Sequence, residues 1–150
     1  MNINTADWSS YASKYLLEGI QRERYVITNL DIDDISRDLM AKVNIENIYM
    51  PLDNKFHLSA ALNGIIAGQL TVLYVFLSRQ LPKDREIYIA REDWLYKKPI
   101  NNTNQINYII KEESKFFKKN KTFYQLQVDV NQQAFMGNMT LVLYERLNHV

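Results

Sequence analysis

The chain of 150 residues contains no cysteine, only four glycines, three prolines and two histidines. Without cysteine there are no disulfides, zinc–thiolate sites or thiol nucleophiles, which suits a cytoplasmic setting. Two histidines, His57 and His149, are too few for a histidine-rich metal site. The shortage of glycine and proline, with 47% hydrophobic residues, argues against disorder and for one domain spanning 1–150. A formal charge of +1 supplies no global field for nucleic acid or a membrane surface. The opening MNINTADWSS has neither the basic nor the apolar region of a signal peptide. Between Asn54 and Lys83 there is no Asp or Glu at all.

That interval holds the dominant feature, the apolar stretch Leu58–Leu77. A helix without a polar face must be covered by protein or by lipid. Its length suffices for a membrane span, and Gly64-x-x-x-Gly68 is a spacing that membrane helices use. Asn63, Gln69 and Thr71 inside it, and the amphipathic strands after it, favour a buried helix against a sheet, with no membrane span.

Around this helix the patterning is regular. Trp8, Tyr11, Ala12, Tyr15 and Leu16 are spaced for a helix over 5–20, capped by Asn4 or Thr5. Tyr25–Leu30 and Leu39–Tyr49 read as strands, the second with Ala41, Val43 and Ile45 alternating against Lys42, Asn44 and Glu46. Four further strands are expected at Arg85–Tyr96, from Ile106 towards Phe117, around Tyr124–Val130 and at Gly137–Tyr144. Lys118–Lys121 reads as a turn, and Pro82 ends the long helix. A curved antiparallel sheet wrapped round one long helix, with an N-terminal helix, satisfies this order. That is an α+β, hotdog architecture, and its open sheet edges predict a homodimer or higher homo-oligomer.

Arg24-Tyr25-Val26-Ile27, Ile48-Tyr49-Met50, His57-Leu58-Ser59-Ala60, Gln69-Leu70 and Tyr96-Lys97-Lys98-Pro99-Ile100-Asn101 occur in an order that resembles the FcoT-like branch of the hotdog superfamily. Such a resemblance implies hydrolysis of long-chain fatty acyl thioesters, with tyrosine and asparagine as pocket groups. Tyr49 matches a pocket tyrosine. Ser59 stands where the family has a helix-start asparagine, and Gly68 where it has one in mid-helix. A family tyrosine that precedes the first strand has no clear counterpart near Glu18–Ile20.

The residues allow such chemistry. Unpaired amides at a long helix's N-terminus can hold a developing oxyanion, here around Ser59–Asn63. Candidate catalytic residues are Tyr49, His57, Ser59 and Asn63. Candidate substrate-binding residues are Gly64, Gly68, Gln69, Lys97 and Lys98. His57 can equally cap or pack, and Ser59 reads first as an N-cap because no base and orienting acid accompany it. The amides of Asn63 and Gln69 need hydrogen-bond partners from either the sheet or a ligand. Tyr49 is one of ten tyrosines and can be core; His149 reads as inert. The expected activity is a thioesterase on fatty or polyketide-type thioesters. No metal or redox cofactor is implied, since coenzyme A or carrier-bound phosphopantetheine would be part of the substrate. The alternatives are a dehydratase or isomerase using His57, disfavoured by the missing helix carboxylate, and a non-catalytic acyl-binding module. Lys115, Lys118, Lys119 and Lys121 read as a solvated turn rather than a nucleic-acid surface. They leave open contact with coenzyme A phosphates or an acyl carrier protein.

Overall fold

The computed structural model describes residues 12–145. His149, Trp8, Tyr11 and the expected cap at Asn4 or Thr5 lie outside them. What is described of the N-terminal helix is short: a π-helical turn, Tyr15–Gly19, running into one α-helical turn, α1 (Ile20–Arg22). The chain then forms β1 (Arg24–Ile32), β2 (Leu39–Glu46), the long helix α2 (Ala60–Ser78), β3 (Ile87–Tyr96), β4 (Ile106–Lys118), β5 (Lys121–Val130) and β6 (Phe135–Tyr144). The six strands make one sheet in the order β1-β2-β4-β5-β6-β3, antiparallel throughout.

The six expected strands and the long helix are present, with bounds moved where local backbone geometry decides. Strand β2 stops at Glu46 rather than Tyr49, because Asn47 takes a left-handed conformation (φ 52°) that leaves the ladder. The β4–β5 turn is made by Lys119 and Asn120, both left-handed, as a two-residue hairpin requires. Ser59 caps α2 by accepting a hydrogen bond from the Leu62 amide at 3.1 Å. At its other end Arg79 makes a two-pronged ion pair with Glu112 of β4.

The core lies between α2 and the concave face of the sheet. Leu62, Ile66, Leu70, Tyr74 and Val75 of the helix meet Leu39, Val43, Ile106, Ile110, Leu126, Val128 and Leu141, all buried. Ten of the helix's 19 residues are buried in this way. The apolar segment that is long enough to cross a bilayer is therefore the core helix of a sheet. The sheet does not enclose it completely, however. Ile65 is 52% exposed and Leu77 45%, and Ala61, Gly64 and Val72 are half-buried on the same side. The missing polar face is thus explained only in part by the chain's own strands.

Two glycines show how tightly each side is filled. A Cβ at Gly137 would lie 2.6 Å from the Trp94 ring, which covers it from the neighbouring strand. A Cβ at Gly64 would have only the Glu92 carboxylate near it, at 4.0 Å. Gly64→Ala is therefore expected to stabilise the protein by about 0.5–1 kcal/mol through helix propensity. Gly137→Ala is expected to cost about 1–3 kcal/mol by overpacking. Urea titrations of the two variants check the opposite signs.

Candidate functional site

The start of α2 is held by a chain of hydrogen bonds whose direction is determined. The Leu62 amide donates to Ser59 Oγ. Ser59 Oγ lies 2.6 Å from the Tyr15 hydroxyl, which in turn donates to Glu23 Oε2 at 2.7 Å. Since Tyr15 gives its only proton to Glu23, Ser59 must donate to Tyr15. Glu23 is 6% exposed, and its other oxygen accepts the Tyr49 amide proton at 3.2 Å. The Tyr49 ring meets Tyr15 edge-on at 5.9 Å and lies against Gly19. Tyr49 and Ser59 are thus joined through Tyr15 and Glu23, neither of which was singled out from sequence. The capping bond removes the Leu62 amide from use, and Asn63 N–H is taken by Ser59 O. Ala60 and Ala61 remain as first-turn amides that the helix itself does not use.

Asn63 lies one turn further in and is completely buried. Its Oδ1 accepts the Tyr108 hydroxyl at 3.0 Å, while Nδ2 has no partner within hydrogen-bonding geometry. Burial holds the Tyr108 phenol far above its ordinary range. Tyr96 approaches the same amide: burial raises its phenol and the nearby Asn63 side chain opposes the shift.

His57 sits apart from this chain. Its Nε2 is 2.5 Å from Asp53 Oδ2 and its Nδ1 is 2.9 Å from Asn101 Nδ2, which also donates to Phe56 O. Nδ1 therefore accepts and Nε2–H donates, so neither ring nitrogen has a lone pair free. The His57 hydrogen bond, then the Lys55 amide, holds the Asp53 carboxyl below its usual range.

Gly64, Gly68 and Gln69 line a groove of about 820 Å³ between α2 and β3, with Ala60, Ala61, Val72, Ile89 and Glu92. Tyr25 of β1 reaches it too, although β1 and β3 are opposite edges of the sheet. Both edges thus curl towards the uncovered side of the helix. A second cavity of about 780 Å³ shares Gln69, Val72 and Ile87 and continues to Leu77 and Leu81. Together they follow α2 for roughly 25 Å. Lys97 and Lys98 border a smaller pocket of about 260 Å³ with Leu58, Tyr96 and Phe135, and Ala60 lines both spaces. The lysines of the β4–β5 hairpin are elsewhere. Lys121 is nine residues along β5 from Val130, which pairs with Phe135 beside Tyr96, so the hairpin lies roughly 30 Å from the helix start. That separation sets those lysines apart from Lys97 and Lys98 at the first turn of α2. Among the described residues no group of three or more His, Asp or Glu side chains is placed to hold a metal ion.

No protein-family model matches the sequence, and no curated protein matches it. Solved structures do resemble the fold. A hypothetical thioesterase of Streptococcus pneumoniae, solved with coenzyme A, superposes with a TM-score of 0.54 at 9% identity, covering 89% of this chain and 97% of its own. A putative thioesterase of Shewanella oneidensis gives 0.52 at 17% identity, with 91% of each chain covered. A thioesterase of Haemophilus influenzae gives 0.51 at 10% identity, covering 100% and 97%. The architecture is therefore the hotdog fold, which these structures share.

Burial pushes the Tyr15 phenol up to about 12, with Ser59 opposing and Glu23 adding to the shift. An unfolded tyrosine ionises near pH ~10. The stability this group contributes is complete below that value and is lost as pH rises through about 12. Tyr74, Tyr96, Tyr108 and Tyr124 shift in the same direction. Urea midpoints measured from pH 8 to 12 should therefore fall, and Tyr15→Phe should make the fall shallower. An equal slope in the variant would contradict the buried assignment.

Proposed function

We propose that the protein is an acyl-thioester hydrolase. One observation carries the reading: an apolar groove begins at helix amides left without helical partners and runs on along a helix face of small and apolar residues interrupted by Gln69. Thioester hydrolysis needs a carbonyl polarised by fixed donors and an apolar slot for the acyl chain. In this proposal the Ala60 and Ala61 amides receive the carbonyl oxygen, while Asn63, buried behind the first turn and bonded to Tyr108, anchors the helix start to the sheet. Ser59 fixes the first turn, with Tyr15, Tyr49 and Glu23 behind it. Gly64, Gly68 and Gln69 line the acyl channel. Lys97 and Lys98 lie where the phosphates of coenzyme A or phosphopantetheine would emerge, and His57, tied to Asp53 and Asn101, shapes the rim.

The finer resemblance to the FcoT-like branch gains support from Tyr15, a tyrosine before the first strand, four residues upstream of Gly19, that touches Ser59. The dehydratase alternative has less support, because it needs His57 as a base and both ring nitrogens are bonded. A homodimer belongs to the same proposal. Strand β3 is an edge of the sheet, and Tyr88, Ile89, Leu95 and Tyr96 on it are all more than 40% exposed. A second copy paired there would roof the groove.

Incubation with acyl-coenzyme A thioesters of graded chain length, following free thiol, tests the reading. Thiol release is expected, fastest with long chains. Binding without turnover would make the protein an acyl-binding module instead. Val72→Phe narrows the channel where the two cavities meet, and should lower kcat/KM for long chains by about tenfold or more while sparing short ones. Replacing Lys97 and Lys98 together by Ala should raise KM at low salt and converge on the wild type at high salt.

A further inference from the structure

We infer that Glu92 is the general base of the site, supplied by the edge strand rather than by the helix. This assignment rests on the hydrolase reading and names the group that activates its water. The central helix offers no carboxylate, since none occurs between Asn54 and Lys83. Strict alternation along β3 would give none either. Ile87 and Ile89 pair with the buried Leu143 and Leu141 and face the helix, which would make Arg91 the next inward residue. The register shifts between Ile89 and Arg91, however, so that Ala90 is an extra residue. After this bulge Glu92, Trp94 and Tyr96 oppose Met139, Gly137 and Phe135 and face inward. A bulge re-aims the side chains that follow it in this manner.

Contacts with the helix bear this out. A Cβ built at Gly68 meets Ile89 Cδ1 at 2.9 Å, and one built at Gly64 meets Glu92 Oε2 at 4.0 Å. The two inward residues thus stand over two glycines one helical turn apart. Gly64 leaves space beneath the carboxylate, and the Trp94 indole N–H donates to Glu92 Oε2 at 3.4 Å, steadying it over the groove. Trp94 itself is fixed by its ring lying on Gly137. Ala60 is four residues from Gly64, about 6 Å along the axis. Ala60, Ala61 and Glu92 line the same groove, so a carbonyl held at the first turn shares with the carboxylate a space that a general base and its water would occupy.

The step balances simply. The water oxygen forms a bond to the thioester carbon while one of its protons passes to the Glu92 carboxylate. The first-turn amides hold the resulting oxyanion. As it collapses, the carbon–sulfur bond breaks, and the thiolate leaves with the proton that Glu92 had taken. The products are a carboxylic acid and a thiol, and Glu92 is again ionised.

The test uses the full chain with the best acyl-coenzyme A substrate. Glu92→Gln keeps the shape and the Trp94 contact but cannot accept the proton. Its kcat should fall by about 100-fold or more, with KM within about threefold of wild type and an unchanged thermal midpoint. Glu92→Asp should retain an intermediate rate, and added formate should restore part of the activity of Glu92→Ala, which a purely structural role would not allow. If Glu92→Gln keeps more than a third of the wild-type kcat, or formate rescues nothing, the base lies elsewhere and the hydrolase reading stands. If the wild type itself releases no thiol from any acyl thioester, the hydrolase reading fails and Glu92 loses this role with it.

Discussion

Helix α2 has no polar side to turn to water, and every other feature of the molecule answers that constraint. Its Leu62–Ile66–Leu70–Tyr74 side is covered by the concave sheet. The opposite side, with Ala61, Gly64, Ile65, Val72 and Leu77, is left open by the single chain. Covering a Leu or Ile side chain completely is worth about 1.5–3 kcal/mol. The open side therefore favours whatever can lie along it, and small residues at Gly64 and Gly68 make it a groove rather than a ridge. Core and candidate site are two sides of one apolar cylinder.

The polar groups at the helix start are organised by the same economy of donors. Each hydroxyl in the sequence Leu62 amide, Ser59, Tyr15, Glu23 both gives and receives one bond, and the chain terminates on a carboxylate that donates nothing. A buried carboxylate with satisfied oxygens is compatible with burial where an unpaired one is not. The arrangement also fixes which amides are spent on capping and which remain for a ligand. Asn63 is the exception, because its Nδ2 sits buried without a partner next to Tyr96.

Much of the architecture was legible from the chain because its signals are local. Ala41, Val43 and Ile45 alternate with polar residues and are buried; Tyr124, Leu126, Val128 and Val130 do the same. Period-two patterning needs no knowledge of the neighbouring strand. Ser59 was readable as a cap because its partner is three residues away. The apolar run announced the core helix, and its missing carboxylates were visible directly.

Placement of the chemistry was not legible, for two physical reasons. Ser59 meets Tyr15 across 44 residues, and Asn63 meets Tyr108 across 45; nothing in either neighbourhood encodes the other. His57 appeared as a free candidate base, yet Asn101, 44 residues later, takes one of its nitrogens. The second reason is parity. One extra residue at Ala90 exchanges the two faces of β3, so a sequence read by alternation points Arg91 inward and Glu92 to solvent. By itself the sequence determined the elements and the apolar helix at their centre, since propensity and periodicity act over a few residues. Only the tertiary structure decided which hydroxyls share protons and which carboxylate faces the groove, because those depend on sheet order and register, where a shift of one residue reverses the answer.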